Sequence, residues 1–218
     1  MTVASVTWVP WTAPELAQRR EVWDTLSDLY LDTDTRPDLP RMARVLAESG
    51  LSEAELNTIW RQEVTPALVH NLSVPTGEWA YFPLEWLEGR IVRRQRYVQQ
   101  HQVQRLMRWP SLTRWLSRAW PNELEPYFQT VLTLRGELLS LPEPERPARA
   151  NLWQWIASAY FWPETPVFMP LPPDTEHPED VFAQLESHLR PLLNAEDARK
   201  MPLEQRRAHV LKLIRGDA

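Results

Sequence analysis

Residues 12–35 read TAPELAQRREVWDTLSDLYLDTDT and decide the fold class, because they form the clearest amphipathic helix in the sequence. Thr12 and Glu15 have the spacing of a capping box, and Pro14 lies in the first turn, where its missing N–H costs nothing. On a helical wheel the apolar side chains share one broad face, formed by Val22, Trp23, Leu26, Leu29 and Tyr30. The pattern predicts a helix that begins at Thr12, ends near Asp32 before a turn at 33–38, and is buried on this face.

The opposite face of the same predicted helix is acidic. It carries Glu21, Asp24, Asp28 and Asp32, and Asp34 follows just past the expected helix end. Like charges spaced i, i+4 repel by a few tenths of a kcal/mol, so the arrangement needs compensation. Either arginines of a neighbouring helix relieve the repulsion, or the face binds a partner. A calcium site is disfavoured, because carboxylates on a regular helix lack the loop carbonyls of a calcium cage.

The rest of the chain repeats helical signals. Ser52 and Glu55 form a second capping box, Pro66 predicts a kink in the helix that follows, and a long helix through Arg90 is expected to stop before Pro110. The predicted fold is all-α, an irregular multi-helix bundle of about eight or nine helices. We expect an N-terminal helical unit over 1–95 and a second helical half over 96–218, packed on it.

Composition disfavours most kinds of active site. The chain has no cysteine and only 5 glycines among 218 residues, and it contains no P-loop, dinucleotide-binding fingerprint or nucleophile elbow. No two histidines have the spacing that places metal ligands on one helical face. We therefore expect no enzyme activity, no catalytic residues, no cofactor and no metal site. With neither a signal peptide nor a long apolar run, we expect a cytoplasmic protein that does not contact a membrane.

Several ordered blocks resemble a known family. They are VWDTLSDLYLDTD (22–34), RVLAESGLSEAELNTI (44–59), EVTPAL (63–68) and NLSVPTGEWAYFPLEWLEGRI (71–91). Together they look like an uncharacterised bacterial domain family, a domain of unknown function, over about residues 12–95. The resemblance implies a small all-helical domain, and it brings no established activity and no catalytic residues.

The net charge of −5 is unevenly distributed. No Asp or Glu occurs from Gly89 to Asn122, a stretch that contains Arg90, Arg93, Arg94, Arg96, Arg105, Arg108, Arg114 and Arg118. Arginines near tryptophans are typical of nucleic-acid surfaces, and the candidates there are Arg90, Arg93, Arg94, Arg105 and Arg108. The favoured interpretation is instead that these arginines pair with the surplus carboxylates, including those of the first helix.

These observations favour a non-enzymatic, protein-binding protein of the bacterial cytoplasm. Its most concrete form is an immunity-type protein that occludes a basic toxin domain through an acidic surface. The partner-binding candidates are Asp24, Asp28, Asp32 and Asp34, together with Glu78 and Trp79 in the loop before the long helix. The alternative is a nucleic-acid-associated or regulatory protein that uses the arginine-rich stretch.

Overall fold

The protein is all-α, as predicted. The computed structural model describes residues 11–68, 81–100, 111–164 and 177–216, and these residues contain no strand. The α-helices are α1 (Ala13–Ser27), α2 (Leu39–Glu48), α3 (Glu53–Ile59), α4 (Thr65–Leu68), α5 (Leu84–Gln100), α6 (Ser111–Ser140), α7 (Arg146–Phe161), α8 (Pro178–Leu189), α9 (Ala195–Lys200) and α10 (Leu203–Arg215). Since α3 and α4 are one continuous helix, the described residues form nine, which agrees with the expected eight or nine. None of them is long and apolar enough to cross a membrane.

The chain forms two compact units. The first comprises Met1–Thr33 and Ser49–Glu125, and the second comprises Asp34–Glu48 and Pro126–Ala218. Helix α2 thus belongs with the C-terminal half of the sequence. The division of the chain into two separately folding domains near residue 95 stays a prediction.

Helix α1 begins where the sequence predicts and ends earlier. Thr12 and Glu15 form the predicted capping box, with both reciprocal hydrogen bonds present. The α-helix stops at Ser27, a 3-10 turn covers Asp28–Tyr30, and Leu31 is extended. The predicted end near Asp32 is therefore wrong, because the α-helix stops five residues earlier, at Ser27. Aspartate is a poor helix former, and its negative charge is unfavourable at a helix C-terminus, so the aspartates of this stretch favour an early end.

The core of the first unit forms where α1 meets the helix over 53–68. Trp23, Leu26 and Trp60 are fully buried, as are Leu87 and Ile91 of α5. The helix over 53–68 begins at the predicted capping box of Ser52 and Glu55. Between α3 and α4 it widens into a π-helical turn, Trp60–Val64. Such turns are rare inside α-helices, and they occur often at functional sites.

The second unit contains two buried arginines. Arg206, 1% exposed, donates to the backbone carbonyl oxygens of Met201, Tyr160, Phe161 and Asp197. Arg36 binds the carboxylates of Asp34 and Asp197, and its guanidinium lies over the Phe161 ring at 4.6 Å. Because a buried charge is costly unless it is paired and hydrogen-bonded, these contacts fix the helices that supply the acceptors.

Candidate binding surface

The predicted acidic face is divided between two environments. Glu21 and Asp24 are exposed on α1, Asp28 is half-buried at its C-terminus, and Asp32 is exposed beyond the helix. Asp34 belongs to the second compact unit, where it pairs with Arg36. The early end of α1 thus removes Asp32 from the helical face on which the sequence pattern placed it, and Asp34 lies beyond the helix, as predicted. A role of the remaining carboxylates in partner binding stays a prediction.

Some of the other candidates fall outside the part of the chain that the structure describes. These are Glu78, Trp79, Arg105 and Arg108. Within the described ranges, no group of three or more His, Asp or Glu side chains is placed to hold a metal ion.

The side of α1 that faces away from its acidic residues contacts a buried carboxylate in the π-helical turn. Glu63 is 5% exposed and accepts a hydrogen bond from Arg19 Nη1 at 2.5 Å and one from the buried Trp23 Nε1 at 2.7 Å. The Arg19 guanidinium lies 5.1 Å from the ring centre of Trp11, and Trp11 meets Trp23 edge to face at 5.3 Å. The four side chains form a closed set of contacts, which fixes α1 on the π-helical turn.

Helix α5 presents an aromatic and basic stripe to solvent. Trp86, Arg90, Arg93 and Tyr97 are spaced i, i+4, i+7 and i+11, which places them within about 60° on a helical wheel. Trp86 is 39% exposed and Tyr97 is 54% exposed, Arg93 is also exposed, and Arg90 is half-buried. We call these four residues the α5 stripe. Single exposed hydrophobic side chains are common, whereas several aromatic and basic side chains aligned on one exposed face are typical of an interaction surface.

Trp86, at the N-terminal end of the α5 stripe, is held in place by its neighbours. Phe82, itself buried, lies nearly parallel to the Trp86 ring, with the ring centres 6.0 Å apart. The Arg90 guanidinium lies over the same indole at 5.1 Å from its centre. Both contacts use the faces of the ring, so Trp86 is pre-oriented on the surface of the helix.

Contacts on other faces of α5 hold the stripe on a rigid element. Leu87 and Ile91 are fully buried in the core. Arg20 of α1 binds Glu88 of α5 through Nε at 2.7 Å and Nη2 at 2.6 Å. The prediction placed the arginine on the later stretch and the carboxylate on the first helix, whereas this ion pair has them the other way round. Gln95 donates to the backbone carbonyl of Gln62 at 3.2 Å. That carbonyl lies four residues before Pro66, which has no N–H to offer it.

The sequence pattern predicted Arg90, Arg93 and Arg94 as candidates, but Trp86 and Tyr97 were not among the predicted site residues. The structure brings Arg90 and Arg93 onto the α5 stripe, while Arg94 is half-buried on a neighbouring face of the helix. The spacing of these residues could have identified both aromatic side chains, because a helical wheel of 84–100 places them in line with Arg90 and Arg93.

Comparisons with known proteins identify the family. No curated protein and no solved structure shows a significant match to the chain. One family, described as a domain of unknown function (DUF7079), matches residues 17–127. The resemblance predicted for about residues 12–95 is thereby confirmed, and the match extends into α6. It includes α1 from residue 17 onward, the π-helical turn and the whole α5 stripe. Since the match covers more than half of the 218 residues, the chain belongs to the DUF7079 family.

Proposed function

We propose that this protein is a non-enzymatic binding protein that recognises an acidic surface of a partner protein through the α5 stripe. The observation that carries the proposal is Trp86, which is exposed yet already oriented by Phe82 and Arg90. Tryptophan, tyrosine and arginine are the residue types most enriched among the side chains that dominate binding energy at protein interfaces. The stripe consists of these three types alone.

The charge of the stripe defines the chemistry of the partner. Arg93 makes no ion pair with any other described residue, and the Arg90 guanidinium lies on an indole. A guanidinium on an aromatic ring keeps its N–H donors available at the ring edge, and its planar fork fits a carboxylate. A protein surface with Asp or Glu around an apolar depression therefore complements the stripe.

A single-stranded nucleic acid fits this geometry less well. Base stacking requires an open aromatic face, and the Trp86 ring already stacks with Phe82 and lies against the Arg90 guanidinium. A partly exposed indole that its neighbours hold in place suits insertion into a protein pocket. The net charge of −5 also opposes a polyanion.

The proposal is tested by crosslinking followed by binding kinetics. A photoreactive amino acid at position 97 would capture the partner from cells of the native host, and mass spectrometry would identify it. Surface plasmon resonance would then compare the wild-type chain with Trp86→Ala, Arg93→Ala and Trp162→Ala. Trp162, in the second unit, is also 39% exposed and provides a control of equal residue type and exposure.

Loss of an interface anchor costs about 2 kcal/mol or more, so dissociation of Trp86→Ala should be about 30-fold faster. Trp162→Ala should bind like the wild type, and Arg93→Ala should slow association mainly at low salt. Equal binding by Trp86→Ala and Trp162→Ala would refute the assignment. Salt-sensitive binding of labelled oligonucleotides that is lost in the Trp86 variant would favour the nucleic-acid function instead.

An immunity-type role is the second candidate, and the exposed carboxylates of α1 support it. Glu21 and Asp24 lie three residues apart and both are exposed, so they are accessible to a basic toxin domain. Charge reversal to Glu21→Lys and Asp24→Lys should then slow association with that toxin at low salt and have less effect at high salt. Unchanged association of the folded double variant would exclude this surface.

A further inference from the structure

A glycine lies on the side of α5 that faces away from the core. On a helical wheel Gly89 is about 160° from each of the fully buried Leu87 and Ile91. Its φ is outside the left-handed region, so any residue could adopt its backbone conformation. The three atoms nearest to a Cβ added at this position belong to the Arg93 guanidinium, at 3.4, 3.9 and 3.9 Å. These are ordinary van der Waals distances, so the fold of the single chain does not require a glycine here.

Gly89 is also unfavourable for the stability of α5. Glycine in the interior of a helix is less stable than alanine, because the unfolded chain has more conformational freedom to lose. A glycine that the backbone conformation does not need is useful where another backbone approaches closely. The surface of α5 at Gly89 therefore has the shape that a second helix needs in order to cross it at a short distance.

The charges on either side of Gly89 are of opposite sign and equally spaced. Glu85 lies four residues before it and Arg93 four residues after it, which is about 6 Å along the helix axis in each direction. On the helical wheel each is about 40° from Gly89, so the three residues share one face. Both side chains are exposed, and neither forms an ion pair with another residue in the described part of the chain.

We propose that a second copy of the chain packs across α5 at Gly89, with the two α5 helices antiparallel about a two-fold axis. Two-fold pairs, in which both copies use the same surface, are the commonest assemblies of identical chains. An axis at Gly89 places Glu85 of each copy opposite Arg93 of the other, which gives two identical ion pairs. Parallel helices would instead place each arginine opposite its own equivalent, so charge selects the antiparallel arrangement.

The Arg93 side chain has a different position in the single chain. Its guanidinium lies over Gly89, where a second helix would have to approach. The side chain is exposed, and turning it towards Glu85 of the second copy uncovers the backbone at Gly89. Arg93 also belongs to the α5 stripe, so self-association and partner binding through this arginine would exclude each other. Self-association itself needs no partner protein and does not depend on the proposed function.

Sedimentation equilibrium of the purified full chain, from micromolar to millimolar concentration, measures the equilibrium between monomer and dimer. The variants are Glu85→Arg and Arg93→Glu, which reverse the charges, and Gly89→Leu, which fills the crossing point. Gly136→Leu is the matched control, because Gly136 is also an exposed glycine within a helix and has open space around it. Circular dichroism establishes that each variant is folded.

We expect a concentration-dependent dimer that either charge reversal weakens about ten-fold or more, since each reversal makes two attractive pairs repulsive. Gly89→Leu should weaken the dimer as well, and Gly136→Leu should dimerise like the wild type. An equimolar mixture of Glu85→Arg and Arg93→Glu should form a mixed dimer about as stable as that of the wild type. In the mixed dimer every charged residue of the pair again faces its opposite.

A chain that stays monomeric at every concentration would overturn the proposal and leave the binding function of the α5 stripe standing. A dimer that Gly89→Leu and both charge reversals leave unchanged would also overturn it, as would an equal loss in Gly136→Leu. If the mixture of the two charge-reversal variants failed to restore the dimer, the antiparallel pairing of Glu85 with Arg93 would be wrong.

Discussion

Replacing Glu63 by alanine should destabilise the first compact unit by about 2.5–4.5 kcal/mol. The variant leaves the buried Trp23 Nε1 without its acceptor, which costs about 1–3 kcal/mol. It also removes the charge-assisted hydrogen bond from Arg19, worth about 1.5–3 kcal/mol. Arg19 is 22% exposed in its side chain and keeps some hydration, so its contribution lies at the lower end. Glu63→Gln preserves an acceptor for Trp23, and we expect it to cost about 1–2 kcal/mol.

Urea denaturation is the appropriate assay, provided that it follows the first unit by itself. Hydrogen exchange of the amides of α1 at increasing urea concentration gives the free energy of opening for that unit. Glu21→Ala is the control. Glu21 is an exposed glutamate of α1, the helix whose amides are followed, and its replacement should change stability by no more than about 0.5 kcal/mol. A loss below about 1 kcal/mol in Glu63→Ala would show that water replaces the lost contacts, and the argument for a buried anchor would fail.

Three further predictions concern other parts of the chain. Gly50→Ala should cost about 1–2 kcal/mol, since Gly50 has a φ of +70°. Gly136→Ala should instead stabilise the protein by about 0.5–1 kcal/mol, because Gly136 is exposed within α6 and no described atom lies near an added Cβ. The urea midpoints of the two glycine variants measure both changes. Burial acts to raise the pKa of Asp197, but hydrogen bonds from Arg36 and the Asn194 N–H outweigh it and lower the pKa. The contribution of the ionised Asp197 to stability is therefore complete above about pH 4 and disappears as the pH falls through the lowered pKa. Asp197→Asn should be less stable than the wild type at neutral pH and nearly as stable in strong acid. Thermal unfolding across a range of pH measures this difference.

The helix starts were predictable because capping is local. Thr12 and Glu15 make their contacts within four residues of chain, and Ser52 and Glu55 do the same. The end of α1 was not predictable from apolar periodicity, since Leu29 and Tyr30 remain buried after the α-helix has become a 3-10 turn. The apolar pattern thus continues past the end of the α-helix at Ser27, and the predicted acidic face was too long for the same reason.

The π-helical turn and its buried glutamate were beyond reach for a different reason. Glu63 lies in an otherwise helical pattern, and nothing within the neighbouring residues distinguishes it from an exposed glutamate. Its partners Arg19 and Trp23 are 44 and 40 residues away, so the pairing depends on how α1 packs against the turn. Pairings of this kind belong to tertiary structure, whereas the α5 stripe depends only on spacing within one helix.

Stability and binding should be separable within the first unit, and this separation tests whether the α5 stripe is a functional surface. Glu63 is buried and contacts α1, whereas Trp86 is exposed and its described ring contacts are with Phe82 and Arg90. Glu63→Gln should therefore lower the free energy of unfolding while the folded fraction binds the partner with unchanged affinity. Trp86→Ala should weaken binding strongly even when the affinity is referred to the folded fraction, although removal of an indole that is about three-fifths buried should also cost about 2–3 kcal/mol of stability. If the two quantities changed together in both variants, the stripe would act only through the fold, and the proposed binding surface would have to lie elsewhere on the unit.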